Sequence, residues 1–228
     1  MNNASWCDLV SRSHGAPTSF SDEAWTSRSR TPTYYPDAVT LVPRPSVPEL
    51  LSQIDASPGC SVKDSFATLD LSGGGFRVLR EGEWIMRPAD LGPLPVIGPA
   101  WNRVTDARGL LAWEDAWRHE GGPREVFRAE LLANEAVAVV AARDGGRLIA
   151  GAILNASLSE SGTAVVGVTN LFSKSSSVPA AWPGCLAMAA AHFPGAAVVG
   201  YESGEELTVA RGHGFHAVGP LRVWKRED

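Results

Sequence analysis

Tyr201–Trp224, YESGEELTVARGHGFHAVGPLRVW, is the stretch on which the reading of the fold turns. A short polar helix over Gly204–His213 is expected to stop at Gly214, a residue suited to the left-handed conformation that ends helices. Phe215 then packs back onto a sheet, and Ala217–Lys225 forms the last strand. Working outward, AAVVGYE (Ala196–Glu202) reads as the preceding strand, and the alanine-rich Ala180–Phe193 as a helix before it. Ala136–Ala142, Leu148–Ser157 and Ala164–Phe172 read as three strands. Asp144-Gly145-Gly146 and Glu160-Ser161-Gly162 punctuate them as hairpins, so these strands form an antiparallel meander. Leu110–Trp117 places Trp113 and Trp117 on one helical face, and Pro123 opens a second helix, PREVFRAELLANE.

The first hundred residues are less regular. Met1–Asp37 is rich in Ser, Thr, Arg and Pro and reads as a polar arm anchored by Trp6, Phe20 and Trp25. Asp37–Pro43 reads as a strand, Ser46–Ile54 as a helix with Pro48 in its first turn, and Lys63–Leu71 as a second short helix. Phe76–Pro88 alternates like a hairpin turning at Glu81-Gly82. The Pro- and Gly-crowded segment Pro88–Pro99 suggests a link between two halves, giving residues 1–37 as an arm, 38–99 as an N-terminal α/β half and 100–228 as the main domain. Gly75-Phe76 and Gly214-Phe215 each follow a helical stretch and lead into a strand bearing a tryptophan, Trp84 and Trp224. This echo fits a duplicated half-fold, and equally the common chemistry of helix stops.

Composition narrows the function. With 44% hydrophobic residues the chain has material for a core, and a net charge of −5 argues against a nucleic-acid partner. No apolar run approaches the roughly 18 residues of a membrane span. The N-terminus lacks a basic lead before an apolar core, so no secretory signal is expected. Cys7, Cys60 and Cys185 have no CxxC spacing and read as free thiols of a cytoplasmic protein; the histidines suggest no metal cluster.

The order helix, helix, three antiparallel strands, helix, strand, helix, strand, closed by HGF, resembles the GCN5-related N-acetyltransferase (GNAT) superfamily over Trp101–Asp228. VVGVTNLF (Val165–Phe172) corresponds to that family's fourth strand. The resemblance implies an α+β fold: a mixed, mostly antiparallel sheet flanked by helices, here with an additional N-terminal half that either completes an acceptor pocket or is a degenerate copy. It also implies that the sheet opens between the fourth and fifth strands and that acetyl-CoA is held there, its pantetheine on the backbone edge of Thr169, Asn170, Leu171 and Phe172. The family's glycine-containing pyrophosphate loop is replaced by SKSSSVPAAWPG (Ser173–Gly184), so Lys174, Ser175, Ser176 and Ser177 stand as phosphate ligands, or as an ordinary helix start. Ser203 and Ala210 occupy the places of the family's asparagine and tyrosine. Ser203 is a pantetheine contact or a helix cap; Ala210 cannot protonate a thiolate.

Acyl transfer to an amine needs a route for a proton. Glu202 and Tyr201, at the end of the fifth strand of that domain, are the candidates, with helix capping as the structural alternative for Glu202. Trp117, His119 and Glu120 lie where an acceptor pocket is expected, or are respectively a packing residue and a solvated helix end. The expected activity is acyl-CoA-dependent N-acyltransfer, of acetyl first, to a small-molecule amine. A catalytically inactive binding module and a scaffold reused for CoA-independent chemistry are the alternatives. Nucleic acid and membrane are not expected partners, and a free sheet edge would allow a homodimer.

Overall fold

The computed structural model describes all 228 residues except Pro93, Ile97, Glu160, Ser175–Ser177 and Asp228. In chain order the elements are α1 (Asn2–Ser13), β1 (Thr18–Phe20), β2 (Ala24–Ser27), β3 (Ala38–Thr40), α2 (Val47–Ser52), β4 (Ser61–Asp64) and β5 (Phe76–Arg87). They continue with β6 (Trp101–Arg103), α3 (Ala107–Trp117), β7 (Val137–Asp144), β8 (Arg147–Leu158) and β9 (Ala164–Ser173). The chain closes with α4 (Trp182–His192), β10 (Ala197–Glu202), α5 (Gly204–Gly212) and β11 (His216–Arg226). The protein is α+β with a mostly antiparallel sheet, as its sequence suggests.

The chain divides into two compact units. The first holds Met1, Asn3–Trp84 and the stretch from Ala217 to the C-terminus; the second holds Asn2 and Ile85–His216. The strand that follows β4 therefore lends its last residues, Ile85–Arg87, to the second unit, while nearly all of β11, which follows β10 and α5, belongs to the first.

In the first unit the strands run β1-β2-β3-β4-β11-β5. β1–β2, β2–β3 and β4–β11 pair antiparallel, and β3–β4 pair parallel across α2. Helix α2 begins after Ser46 with a proline in its first turn, where the missing N–H costs nothing. Leu50, Cys60, Val62, Leu71, Phe76 and Trp224 form one core here, and Cys7, Trp25 and Val39 with Ala4 another.

In the second unit β10, β9, β8, β7 and β6 follow in that order. The β6–β7, β7–β8 and β8–β9 pairs are antiparallel and β9–β10 is parallel. Alternation along the strands divides the two faces. Ala138, Val140, Ala152, Leu154, Val166 and Val198 share one core with Trp182, Cys185, Leu186 and Ala189 of α4. Each fully buried valine or leucine among them contributes about 1.5–3 kcal/mol relative to exposure. On the other face, α3 stacks its Trp113 and Trp117 rings (centroids 6.2 Å apart, 17° between planes). Gly214, at φ 89°, ends α5, and Phe215 packs into the α4 core, its ring 4.8 Å from that of Trp182.

Several expectations are corrected. The polar arm expected over residues 1–37 is folded: Ala4, Trp6, Cys7, Val10 and Ser11 of α1 are buried, and so is every residue of β2, Trp25 included, while Phe20 is exposed. Few residues there are apolar, but those few share one helical face. Lys63–Leu71 is not a helix. Lys63 and Asp64 end β4, and the buried Asp64 carboxylate accepts the N–H groups of Phe66 (3.1 Å) and Leu69 (2.8 Å), fixing a turn in which Ala67 is left-handed. Phe76–Arg87 is one continuous strand with no hairpin at Glu81-Gly82. The helix expected from Pro123 is reduced to a 3-10 turn over Ala129–Ala133.

Candidate functional site

The parallel ladder between β9 and β10 is short. It runs Ala197↔Val165, Val198↔Val166 and Val199↔Gly167, whereas β9 continues to Ser173 and β10 to Glu202. The reason is local. On its other side β9 pairs with β8 as Ile153↔Thr169 and then Gly151↔Phe172, so Asn170 and Leu171 stand against the single residue Ala152. That is a β-bulge, and Asn170 carries it at φ 56°, the left-handed region that asparagine tolerates better than most side chains. The Thr169 hydroxyl donates to the Asn170 side-chain oxygen at 2.8 Å. A bulge bends its strand and raises the local twist, and this one follows the last β9–β10 pair by three residues.

Two glycines stand at the point of separation. A methyl group on Gly167 would run into the Asn155 side-chain oxygen at 2.6 Å, and into that of Asn2. One on Gly200 would meet the Val168 carbonyl oxygen at 3.4 Å. Glycine thus lets the Asn2 and Asn155 side chains lie against β9 at Gly167, and the Val168 carbonyl against β10 at Gly200.

Around this fork the residues expected from the sequence distribute unevenly. Thr169, Asn170, Leu171 and Phe172 are all half-buried on β9. Tyr201 and Glu202 end β10, and Ser203 follows as the N-cap of α5; because β9 and β10 are parallel, both sets lie at the same end of the unit. The Ser203 hydroxyl makes no capping bond to the helix it precedes. Alternation puts Tyr201 on the face of Val199 and Gly167, and Glu202 on the face of Val198 and the α4 core. Ser203 holds the N-cap position of α5, one residue after Glu202. Lys174 is exposed, its backbone N–H bonded to Ile149 O at 2.7 Å. Ser175, Ser176 and Ser177 lie outside the described residues.

On the α3 face, Phe172 meets Trp113 edge-on at 5.3 Å, Trp113 stacks on Trp117, and Phe127 packs edge-on against both tryptophans. Trp117 therefore joins the cluster that includes Phe172. His119 and Glu120 do not: both are exposed in the turn after α3, where Gly122 N–H donates to His119 O.

Glu114 is a residue the sequence reading passed over. Its carboxylate is buried and accepts the N–H groups of Glu125 (2.9 Å), Val126 (2.5 Å) and Phe127 (3.3 Å). Gathering three amides onto one carboxylate is incompatible with continuing them into a helix, and it explains both the lost second helix and the left-handed Glu125 at φ 58°. The available signal was a Glu one position from Trp113 on a helix face that must be buried. Gly167 within VVGVTN was a second signal, because glycine inside a strand marks a bulge or a close approach. Among the described residues, no three His, Cys, Asp or Glu side chains are grouped to hold a metal ion, and no helix is long and apolar enough to cross a membrane.

The sequence matches no family model and no curated protein. Its structure, however, is similar to solved structures. A GCN5-related N-acetyltransferase from Kribbella flavida aligns with a TM-score of 0.65 over 99% of this chain and 94% of that one, at 14% identity. A GCN5-related N-acetyltransferase-like protein from Streptococcus suis aligns with a TM-score of 0.53, covering 98% and 95%, at 11% identity. A conserved protein of unknown function from Staphylococcus epidermidis aligns with a TM-score of 0.56, covering 93% and 95%, at 8% identity. The fold is that of the GNAT superfamily.

Proposed function

We propose that the second unit is an acyl-CoA-dependent N-acyltransferase, acetyl-CoA being the first donor to consider, acting on a small-molecule amine. The observation that carries this reading is the end of the β9–β10 ladder at Gly167, beyond which β9 pairs with β8 alone in the ladders, with glycine on both strands at that point. An extended pantetheine amide chain fits such an edge as an added strand would. The bulge at Asn170 and Leu171 frees backbone N–H capacity for the thioester carbonyl oxygen. The Ser203 hydroxyl, not spent on its helix, is a further contact to the same chain. Lys174, with Ser175–Ser177, would meet the phosphates.

The reaction is direct. The amine nitrogen attacks the thioester carbon, a C–N bond forms, the C–S bond breaks, and the amine's proton leaves to a base. Alternation puts Tyr201 on the opposite side of the sheet from the α4 core, so it is the nearer of the two candidates to an acceptor on that side; Glu202, on the α4 side, serves as base through water. Trp117 forms the apolar wall of the acceptor side. The domain division expected at residue 99 gives way in this account to the two units, the catalytic role being assigned to the second. The buried free thiols Cys7, Cys60 and Cys185 suit a reducing cytoplasm.

The test is a panel of amines with acetyl-CoA, read as released CoA thiol. Turnover of one class, lowered at least tenfold in Tyr201→Phe or Glu202→Gln, supports the reading; a panel with no turnover above hydrolysis contradicts it. A non-catalytic binding module is the second reading, favoured by one observation. Ala210 is wholly buried at the place where the family carries its proton-donating tyrosine.

A further inference from the structure

We infer that Asn155 of β8 and Asn2 hold the nitrogen of a primary amine, through their two side-chain oxygens, at the end of the β9–β10 ladder. Asn155 is 2% exposed and follows the buried apolar run Ala150–Leu154. It pairs with Gly167, and Gly167 pairs in turn with Val199, the last pair of the parallel ladder. Asn2 belongs to the same unit and is half-buried. Its Nδ2 donates to Asn155 O and to Ser157 Oγ, each at 2.9 Å, and Asn155 Nδ2 donates to Asn2 O at 3.5 Å. With the nitrogens so engaged, both side-chain oxygens turn onto one spot over Gly167. A Cβ there would lie 2.6 Å from the Asn155 oxygen and against that of Asn2. Among the described residues neither oxygen receives a hydrogen bond. Nor is either one of the sealed atoms without a partner, which are Ser11 Oγ, Arg118 Nε and Trp224 Nε1, so each keeps an edge open to solvent.

Two acceptors that converge without a donor select the ligand. A carboxamide oxygen only accepts, so the complement is a group with two N–H bonds on one atom. A neutral primary amine has two, and with both given to the asparagines its lone pair turns away from them. A secondary amine would leave one oxygen without a donor, and a tertiary amine both. The role of this nitrogen as acyl acceptor rests on the acyltransferase reading. Under that reading a donor laid along β9 from Lys174 ends where β10 closes the ladder, which brings its thioester to the same spot. Tyr201 lies on the face of Gly167 and hence of Asn155, its pair partner. The asparagines orient the nitrogen; the proton it loses goes to the base.

The test is a titration of the isotope-labelled full chain with n-butylamine, read by NMR at the side-chain amide signals of Asn155 and Asn2. Those signals are identified by their loss in Asn155→Leu and Asn2→Ser, with circular dichroism to confirm that each variant is folded. Up to about 100 mM, butylamine should move both signals along a saturable curve, and n-butyltrimethylammonium, which has no N–H, should leave them in place. Asn155→Leu keeps the side-chain volume and removes the acceptor. It should weaken butylamine about tenfold or more, read at Asn2, and leave CoA affinity within about twofold of wild type. Asn2→Ser, at the half-buried position, should weaken butylamine in the same direction, read at Asn155, and decides the matter where the core change unfolds the chain. No saturable shift with butylamine, or an equal shift with the quaternary ion, overturns the proposal. So does a folded variant that binds butylamine as the wild type does. Acetyl-CoA turnover is scored separately: a butylamine site in a chain with no turnover contradicts the transfer reading and supports this one.

Discussion

Val199 pairs with Gly167, and at that pair the parallel ladder of β9 and β10 ends. An edge that β10 covered along its whole length would have nothing to offer a ligand. The fork should be sensitive to side chains placed at its mouth. Gly200→Val adds atoms beside the Val168 carbonyl and the Ile85 side chain. It should lower CoA affinity by more than tenfold, because the β9 edge beside Val168 is where the donor would lie. Calorimetric titration and a thermal melt on the same preparation check this.

The bulge should report on its own backbone. Asn170 at φ 56° is a position glycine adopts freely and a β-branched residue resists. Asn170→Gly should stay within about 0.5 kcal/mol of wild type in urea unfolding, whereas Asn170→Val should lose about 1–2 kcal/mol. The valine variant should also bind CoA more weakly, because relieving its strain straightens β9 toward β10.

Glu114 braces the segment from Arg118 to Phe127 through three amides. Glu114→Ala leaves those donors buried without an acceptor and should cost about 2–4 kcal/mol, each orphaned donor being worth about 1–3 kcal/mol before the segment relaxes. Trypsin should then cut after Arg124 in the variant well before it does in the wild type. Equal digestion rates would mean that the segment is held by the Trp113, Trp117 and Phe127 cluster alone.

These residues also show what the sequence made legible. The meander, the helix stop at Gly214 and the Trp113/Trp117 face follow from periodicity and turn chemistry, both local properties. The segment after Pro123 was misread because a helical pattern there competes with a carboxylate eleven to thirteen residues away, which no window of periodicity contains. Lys63–Leu71 failed for the same reason on a smaller scale: Asp64 ties its own following amides into a turn. Residues 1–37 hid their helix and strands because the strands are three to four residues long and sparsely apolar. The bulge was half-visible, as a glycine inside a valine-rich strand, but the left-handed Asn170 that completes it required the coordinates.

Two buried thiols make stability depend on alkaline pH. Burial pushes Cys7 up to about 11 and Cys185 up to about 12, against 9.0 in the unfolded chain. Above pH 9 the unfolded chain sheds these protons and the folded one keeps them, so the unfolded state binds fewer protons and stability falls as pH rises. The loss from Cys7 should grow between pH 9 and about 11 and then level off; that from Cys185 should continue to about 12. Urea unfolding at pH 7 and pH 10 should show the drop, and Cys185→Ala should make it smaller. Neither thiol should react with a thiol reagent at pH 8 until the protein unfolds.

The most direct measurement is calorimetric titration of the wild type with acetyl-CoA and CoA, repeated on Lys174→Ala and Gly200→Val. Binding at about micromolar concentration, weakened in the first variant and weakened more than tenfold in the second, is the result expected if the β9–β10 fork holds the donor. No binding at millimolar CoA, or binding that Gly200→Val leaves unchanged, would contradict the account.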